Sequence, residues 1–115
     1  MDNKEREYRK LRFGLTLKKC MEKTQMKISI DKKQFKSLSF RKLESASGIR
    51  HASIVEIVNG KKNPSWSTVD AILEGLEITL TDFALIYDYL EEKEILEYKR
   101  ELDKKKQERK KKKKL

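Results

Sequence analysis

Residues 45–73 read SASGIRHASIVEIVNGKKNPSWSTVDAIL, and the fold turns on how this stretch breaks. A single glycine, Gly48, stands between two apolar patterns. Upstream, Phe40, Leu43 and Ala46 or Ser47 fall on one side of a helix expected over 40–47, with Ser39 as its N-cap. Gly48 suits the left-handed conformation that ends such a helix, and Ile49 is expected as a buried plug behind it. A second short helix is expected from Arg50 or His51 to Val58, with Ile54 and Ile57 inward; Asn59-Gly60 terminates it. Lys61, Lys62, Asn63 and Pro64 make a basic turn. Ser65 or Ser67 then caps a helix to Leu76 on which Val69, Ile72, Leu73 and Leu76 are apolar. Ser67 with Asp70 has the spacing of a capping box.

Working outward, residues 5–25 contain no proline and predict one helix. Phe13, Leu17, Cys20 and Met21 recur at three- and four-residue spacing, and Tyr8, Leu11 and Leu15 form a neighbouring stripe. Gly14 is its weak spot. The stretch MKISIDKKQFKS (26–37) reads as a loop, with one short extended segment at Ile28 and Ile30. Thr81 is the expected cap of a last helix on which Phe83, Ile86, Tyr87 and Leu90 pack. Ile95, Tyr98 and Leu102 continue as a thinner stripe directed outward. Strand signals are nearly absent and no repeat is visible, so the class is all-α. The expected organisation is an N-terminal helix and basic linker (1–37), a core (38–90), and a charged C-terminal helix with a lysine-rich tail (91–115).

The chain of 115 residues suits one small domain with a modest core rather than a deep catalytic cavity. Charged residues make up 42% of it, so that core coexists with very wet surfaces or tails. No apolar run approaches the roughly 18 residues that span a bilayer. The charged start MDNKEREYRK gives no expectation of a signal peptide. One cysteine, Cys20, rules out an internal disulfide and fits a reducing compartment. The formal net charge of +10 is unevenly placed: +7 in 1–37, zero in 38–79, −5 in 80–103 and +8 in 104–115. Such asymmetry points to a polyanionic partner.

Helix, glycine turn, helix is the geometry of a helix-turn-helix unit, in which one helix braces on the phosphate backbone and the next lies in the major groove. Leu43, Ile49, Ile54 and Ile57 would lock the pair, leaving Arg50, His51, Ala52, Ser53 and Glu56 outward. Residues 41–83 resemble the lambda repressor/Cro-like (XRE-type) helix-turn-helix family more specifically. The matched features are L-x-x-x-x-G-I from Leu43 to Ile49 and I-x-x-I-x-x-G from Ile54 to Gly60. Gly60, Lys61, Pro64, Ser65, Thr68 and Val69 continue the pattern, then Leu76, Ile78 and Leu80. FGLTLKKC at 13–20 is similar to the family's first helix. Against the family pattern, Glu44 replaces an alanine, Phe40 a phosphate-binding glutamine, Arg50 a Ser/Thr cap and Glu77 a helix-ending glycine. The Arg50 exchange is expected to cost the cap about 1 kcal/mol.

The resemblance implies a five-helix DNA-binding domain, acting as a transcriptional regulator and as a homodimer on a two-fold symmetric duplex. Matched residue by residue, base readout would fall on Arg50, His51, Ala52, Val55 and Glu56. Backbone contacts would fall on Ser39, Arg41, Ser53, Lys61, Lys62 and Asn63. No cofactor, metal, membrane or small-molecule substrate is expected, and the chain is expected in the cytoplasm at the nucleoid. One His and one Cys make no convincing catalytic dyad, and no P-loop, C-x-x-C or H-E-x-x-H is present, so no enzyme is expected. Two alternatives stand beside this reading. One is a protein-interaction module with the same fold, an antitoxin or an adaptor using the acidic 80–103 stretch. The other is a non-specific nucleic-acid binder driven by the tail KKKQERKKKKKL. That tail reads as a solubilising disordered end, a phosphate clamp or a localisation signal.

Overall fold

Six helices and no strand form among the described residues: α1 (Asn3–Ile28), α2 (Phe35–Ser47), α3 (His51–Val58), α4 (Trp66–Leu76), α5 (Leu80–Tyr89) and α6 (Glu92–Lys113). This computed structural model describes the backbone of residues 1–28 and 35–113 and the side chains of residues 1–24 and 40–110. The chain is all-α. Helix α1 is the centre, touching each of the other five, and α2 packs most extensively on α4.

Two buried clusters follow from the two stripes of α1. Leu17, Cys20 and Met21 enter the main cluster with Leu43, Ile54, Ile57, Val58, Val69, Ile72, Leu73, Leu76 and Phe83. Phe13 packs on its edge, its ring 5.1 Å from that of Phe83. Leu11 and Leu15 face the other way and meet Ile95 and Tyr98 of α6, with Tyr8, Leu90 and Leu102 around them. The stripe on α6 is therefore not directed outward, as the residue pattern suggested; it closes back on α1. Ile95 is fully buried, and the Tyr98 hydroxyl donates to the Val58 carbonyl at the end of α3. Burial pushes the Tyr98 hydroxyl up to about 12, helped by Glu101 and Glu22, so it stays protonated and donating.

Where α1 crosses α3, there is no room for a side chain. A Cβ on Gly14 would lie 2.5 Å from the Val58 carbonyl oxygen and 2.6 Å from that of Ile57. The residue that weakens α1 as an isolated helix is the one that lets α3 approach it. Helix α5 is tied to α1 through Arg12. Its guanidinium donates to the Tyr87 carbonyl through Nε (3.2 Å) and Nη2 (2.9 Å) and lies 3.9 Å over the Tyr87 ring. One side chain thus satisfies a last-turn carbonyl and adds a cation–π contact.

The helix ends show which local signals decided. Gly48 has φ 75, as expected, and Ser47 fastens the turn by donating to the Leu43 carbonyl and accepting from the Ile49 N–H (3.1 Å). At the end of α3, Gly60 (φ 71) donates to Ile57 and Lys61 to Glu56, the paired bonds of a Schellman turn. The end of α4 repeats this pairing with Glu77→Glu74 and Ile78→Leu73, although Glu77 then sits at φ 57, ψ 37. Left-handed backbone at a residue with a Cβ costs about 1–2 kcal/mol.

Several expected boundaries are corrected. Helix α2 begins at Phe35, so Ser39 lies within it and is not an N-cap. Nothing in FKSLSF breaks a helix, so the turns simply continue. The expected loop 26–37 accordingly gives residues 26–28 to α1 and 35–37 to α2, while 29–34, including Ile30, lie outside the described residues. Of the two serines expected as alternatives for the α4 cap, Ser65 takes the role, accepting from the Thr68 N–H at 3.3 Å. Thr79, not Thr81, caps α5, accepting from the Asp82 N–H at 3.1 Å, because the turn through Glu77 and Ile78 ends directly before Thr79. Ile49 is half-buried rather than a sealed plug. Trp66, in the first turn of α4, is 61% exposed. The α4 side chains that reach the core begin one turn later, at Val69.

Candidate nucleic-acid interface

Helix α3 is eight residues long and sorts its side chains by the 3.6-residue period. Ile54, Ile57 and Val58 are buried. Arg50, His51, Ala52 and Glu56 are exposed, and Ser53 and Val55 are half-buried along the flanks. Of the five side chains expected to read bases, Arg50, His51, Ala52 and Glu56 are thus exposed and Val55 lies half-buried at their edge. This surface is not sealed against the interior. The Gly48 turn sets where α3 begins, and the close crossing at Gly14 seats its inner side on α1.

The N-terminus of α3 is open. Arg50 occupies the cap position with φ −54 and ψ 136, and its side chain makes no capping hydrogen bond. The first N–H groups of the helix thus receive no acceptor from their own cap residue, and they carry the positive end of the helix dipole. Among the exposed side chains, His51 has a ring contact. Its ring meets Phe40 edge-on, with centroids 5.6 Å apart and planes at 87°. Phe40 is itself packed against the main cluster, so the imidazole is braced from beneath.

Lys61, Lys62 and Asn63 follow at the C-terminal end of α3 and are all exposed. The Schellman turn fixes where this corner begins, since the Lys61 N–H is one of its two donors. Arg41 is exposed on α2. The Ser39 side chain lies outside the described residues. Arg41 and the 61–63 corner come from different elements, on either side of the α3 surface in the chain.

One part of this region was not foreseen from the sequence. The basic half of α6 runs beside the corner. Lys99, Lys105, Lys106 and Arg109 line a cleft that Asn59, Gly60 and Lys61 close from the other side. The only signal for it was the switch from acidic to basic residues near Asp103, which does not say what the lysines face.

Cys20 and His51 are far apart in character. Cys20 is fully buried, and burial pushes its thiol up to about 11 against a smaller lowering by Lys23. A neutral buried thiol is a small apolar core residue. Among the described residues no group of three or more His, Cys, Asp or Glu could hold a metal ion. No helix of the described residues is long and apolar enough to cross a membrane. Compared with family models, with curated proteins and with solved structures, the chain has no match in any of the three.

Proposed function

We propose that this chain is a sequence-specific DNA-binding transcriptional regulator of the helix-turn-helix type, built like the lambda repressor/Cro-like (XRE-type) family. The observation that carries the reading is the α3 surface. A short helix, set off by the Gly48 turn, exposes Arg50, His51, Ala52 and Glu56 while burying Ile54, Ile57 and Val58. Helix α2 braces on the backbone and α3 enters the major groove. Each exposed side chain has a matching base edge. Arg50 suits guanine O6 and N7, Glu56 the cytosine amino group, and Ala52 with Val55 the thymine methyl; His51 donates a hydrogen bond from a braced ring. Arg41, Ser53, Lys61, Lys62 and Asn63, together with Ser39, serve the phosphates, and the uncapped N–H groups of α3 add to that field. The protein binds without catalysing a reaction, as a homodimer, in the cytoplasm at the nucleoid.

Selection of bound sequences from a random duplex pool tests this. Enrichment of one sequence with two-fold symmetric halves is expected, and its loss in Arg50→Ala or His51→Ala. Recovery of an unenriched pool would reject sequence-specific regulation.

A second reading, an interaction module that keeps the fold without the readout, is favoured by one feature. Leu85 and Tyr89 on α5 and Leu96 on α6 are 51%, 81% and 41% exposed. Co-purification of a stoichiometric partner protein, with no duplex binding at moderate salt, would support that reading over the first.

A further inference from the structure

The cleft beside the α3–α4 corner has a volume of about 330 Å³ and is open to solvent. Its cations are Lys61 from the corner and Lys99, Lys105, Lys106 and Arg109 from α6. Two carboxylates, Glu7 and Asp103, also line it, and Leu11 and Leu102 form its apolar floor. Five positive charges against two negative leave the cleft basic.

This gathering of charge follows from the packing of α6. The Tyr98 hydroxyl is bonded to the Val58 carbonyl, and Val58 directly precedes Asn59, Gly60 and Lys61. With Ile95 and Tyr98 seated on α1, the next turns of α6 must pass the exit of α3. The basic residues begin there. Up to Asp103 α6 is net acidic, with Glu92, Glu94, Glu97, Glu101 and Asp103 against Lys93, Lys99 and Arg100, and beyond it the helix is basic, so α6 presents a polyanion with one repelling half and one attracting half. At the corner the basic half supplies Lys105, Lys106 and Arg109, and the acidic half only Lys99, Leu102 and Asp103. Lysines so placed repel one another until an anion comes between them, and a strand carrying regularly spaced phosphates meets Lys61 and α6 together.

We propose that the cleft between α6 and the α3–α4 corner holds the phosphodiester backbone of a bound duplex, so that α6 clamps the strand flanking α3. This rests on the DNA-binding reading of α3 and adds a second binding surface to it. The clamp supplies affinity without selectivity, because phosphates carry no sequence.

The test uses the full chain and the triple variant Lys105→Gln, Lys106→Gln, Arg109→Gln, whose helical content is checked by circular dichroism. Affinity is measured against salt concentration for a duplex recovered by selection and for a scrambled duplex of equal length. The slope of log K against log salt should become shallower by about 0.9 for each phosphate no longer neutralised, reaching about 2.7 for three. Both duplexes should weaken alike, leaving their ratio unchanged. An unchanged slope, with the ratio intact, overturns the clamp and spares the α3 reading. A shallower slope with no discrimination between duplexes in the unaltered chain keeps the clamp and overturns sequence readout. Inorganic tripolyphosphate is the third arm: binding of it alone, abolished in the triple variant and without duplex binding, would assign the cleft to a free phosphate ligand and overturn the clamp.

Discussion

The two buried clusters share α1 but are closed in different ways. The main cluster takes side chains from five helices, and the ends of those helices are fixed by separate devices: Gly48 with Ser47, the Schellman turn at Gly60, the Ser65 and Thr79 caps, and Arg12 on Tyr87. The second cluster is closed by one helix laid along α1, with Ile95 and Tyr98 as its buried residues and one hydrogen bond to Val58. A surface that reads a duplex needs the first kind of support, because α3 must hold its orientation to within a fraction of its own width. A clamp needs only the second, since charge acts over distance.

The comparison can be broken at the point where both regions meet. Gly14→Ala puts a methyl group against two backbone carbonyls of α3, which cannot give way as a side chain would. A loss of about 3 kcal/mol is expected, read by chemical denaturation, together with loss of duplex discrimination because α3 is displaced. Next in size, Ile95→Ala removes the fully buried anchor of α6. It should cost about 2–3 kcal/mol, toward the low end for such truncations because a helix packed on one neighbour settles inward. Hydrogen exchange should show that loss concentrated in α6, with the α3 and α4 amides still protected. Uniform loss across all six helices would make the two clusters one cooperative unit.

Each cluster also buries one titratable proton, which separates them by pH. Cys20 is raised from 9.0 to about 11 and Tyr98 from 10.0 to about 12. In both, the folded chain holds its proton above the pH at which the unfolded chain releases it. Stability must therefore fall as pH rises through each window. Tyr98→Phe should remove the upper fall while leaving the Cys20 fall in place. At neutral pH the same variant orphans the Val58 carbonyl and should cost about 1–2 kcal/mol. The smallest effect has the opposite sign: Glu77→Gly relieves left-handed backbone and should stabilise by roughly 0.5–1 kcal/mol in thermal denaturation.

The main cluster was legible in the sequence because its signals are local. Gly48, Asn59-Gly60 and Ser65 each act within a few residues of the helix they end, and the outward face of α3 follows from the inward positions of Ile54 and Ile57. The two stripes of α1 were equally plain. What covers the second stripe was not, because Leu11 and Ile95 are distant in the chain and a thin apolar stripe on α6 has the same pattern whether it packs or projects. The choice of Thr79 over Thr81 needed the position of the preceding turn, which is set by Glu77 adopting a conformation its side chain disfavours. The cleft was hidden for the same reason as the second cluster: Lys61 and Lys105 become neighbours only once Tyr98 has docked.

Amide chemical-shift mapping of the chain titrated with a selected duplex addresses the central claim most directly. The largest shifts should fall on residues 50–56 and 61–63, with a second group on α6 around Lys99 to Arg109. Shifts confined to α6, with the α3 amides unmoved, would contradict the placement of α3 in the groove.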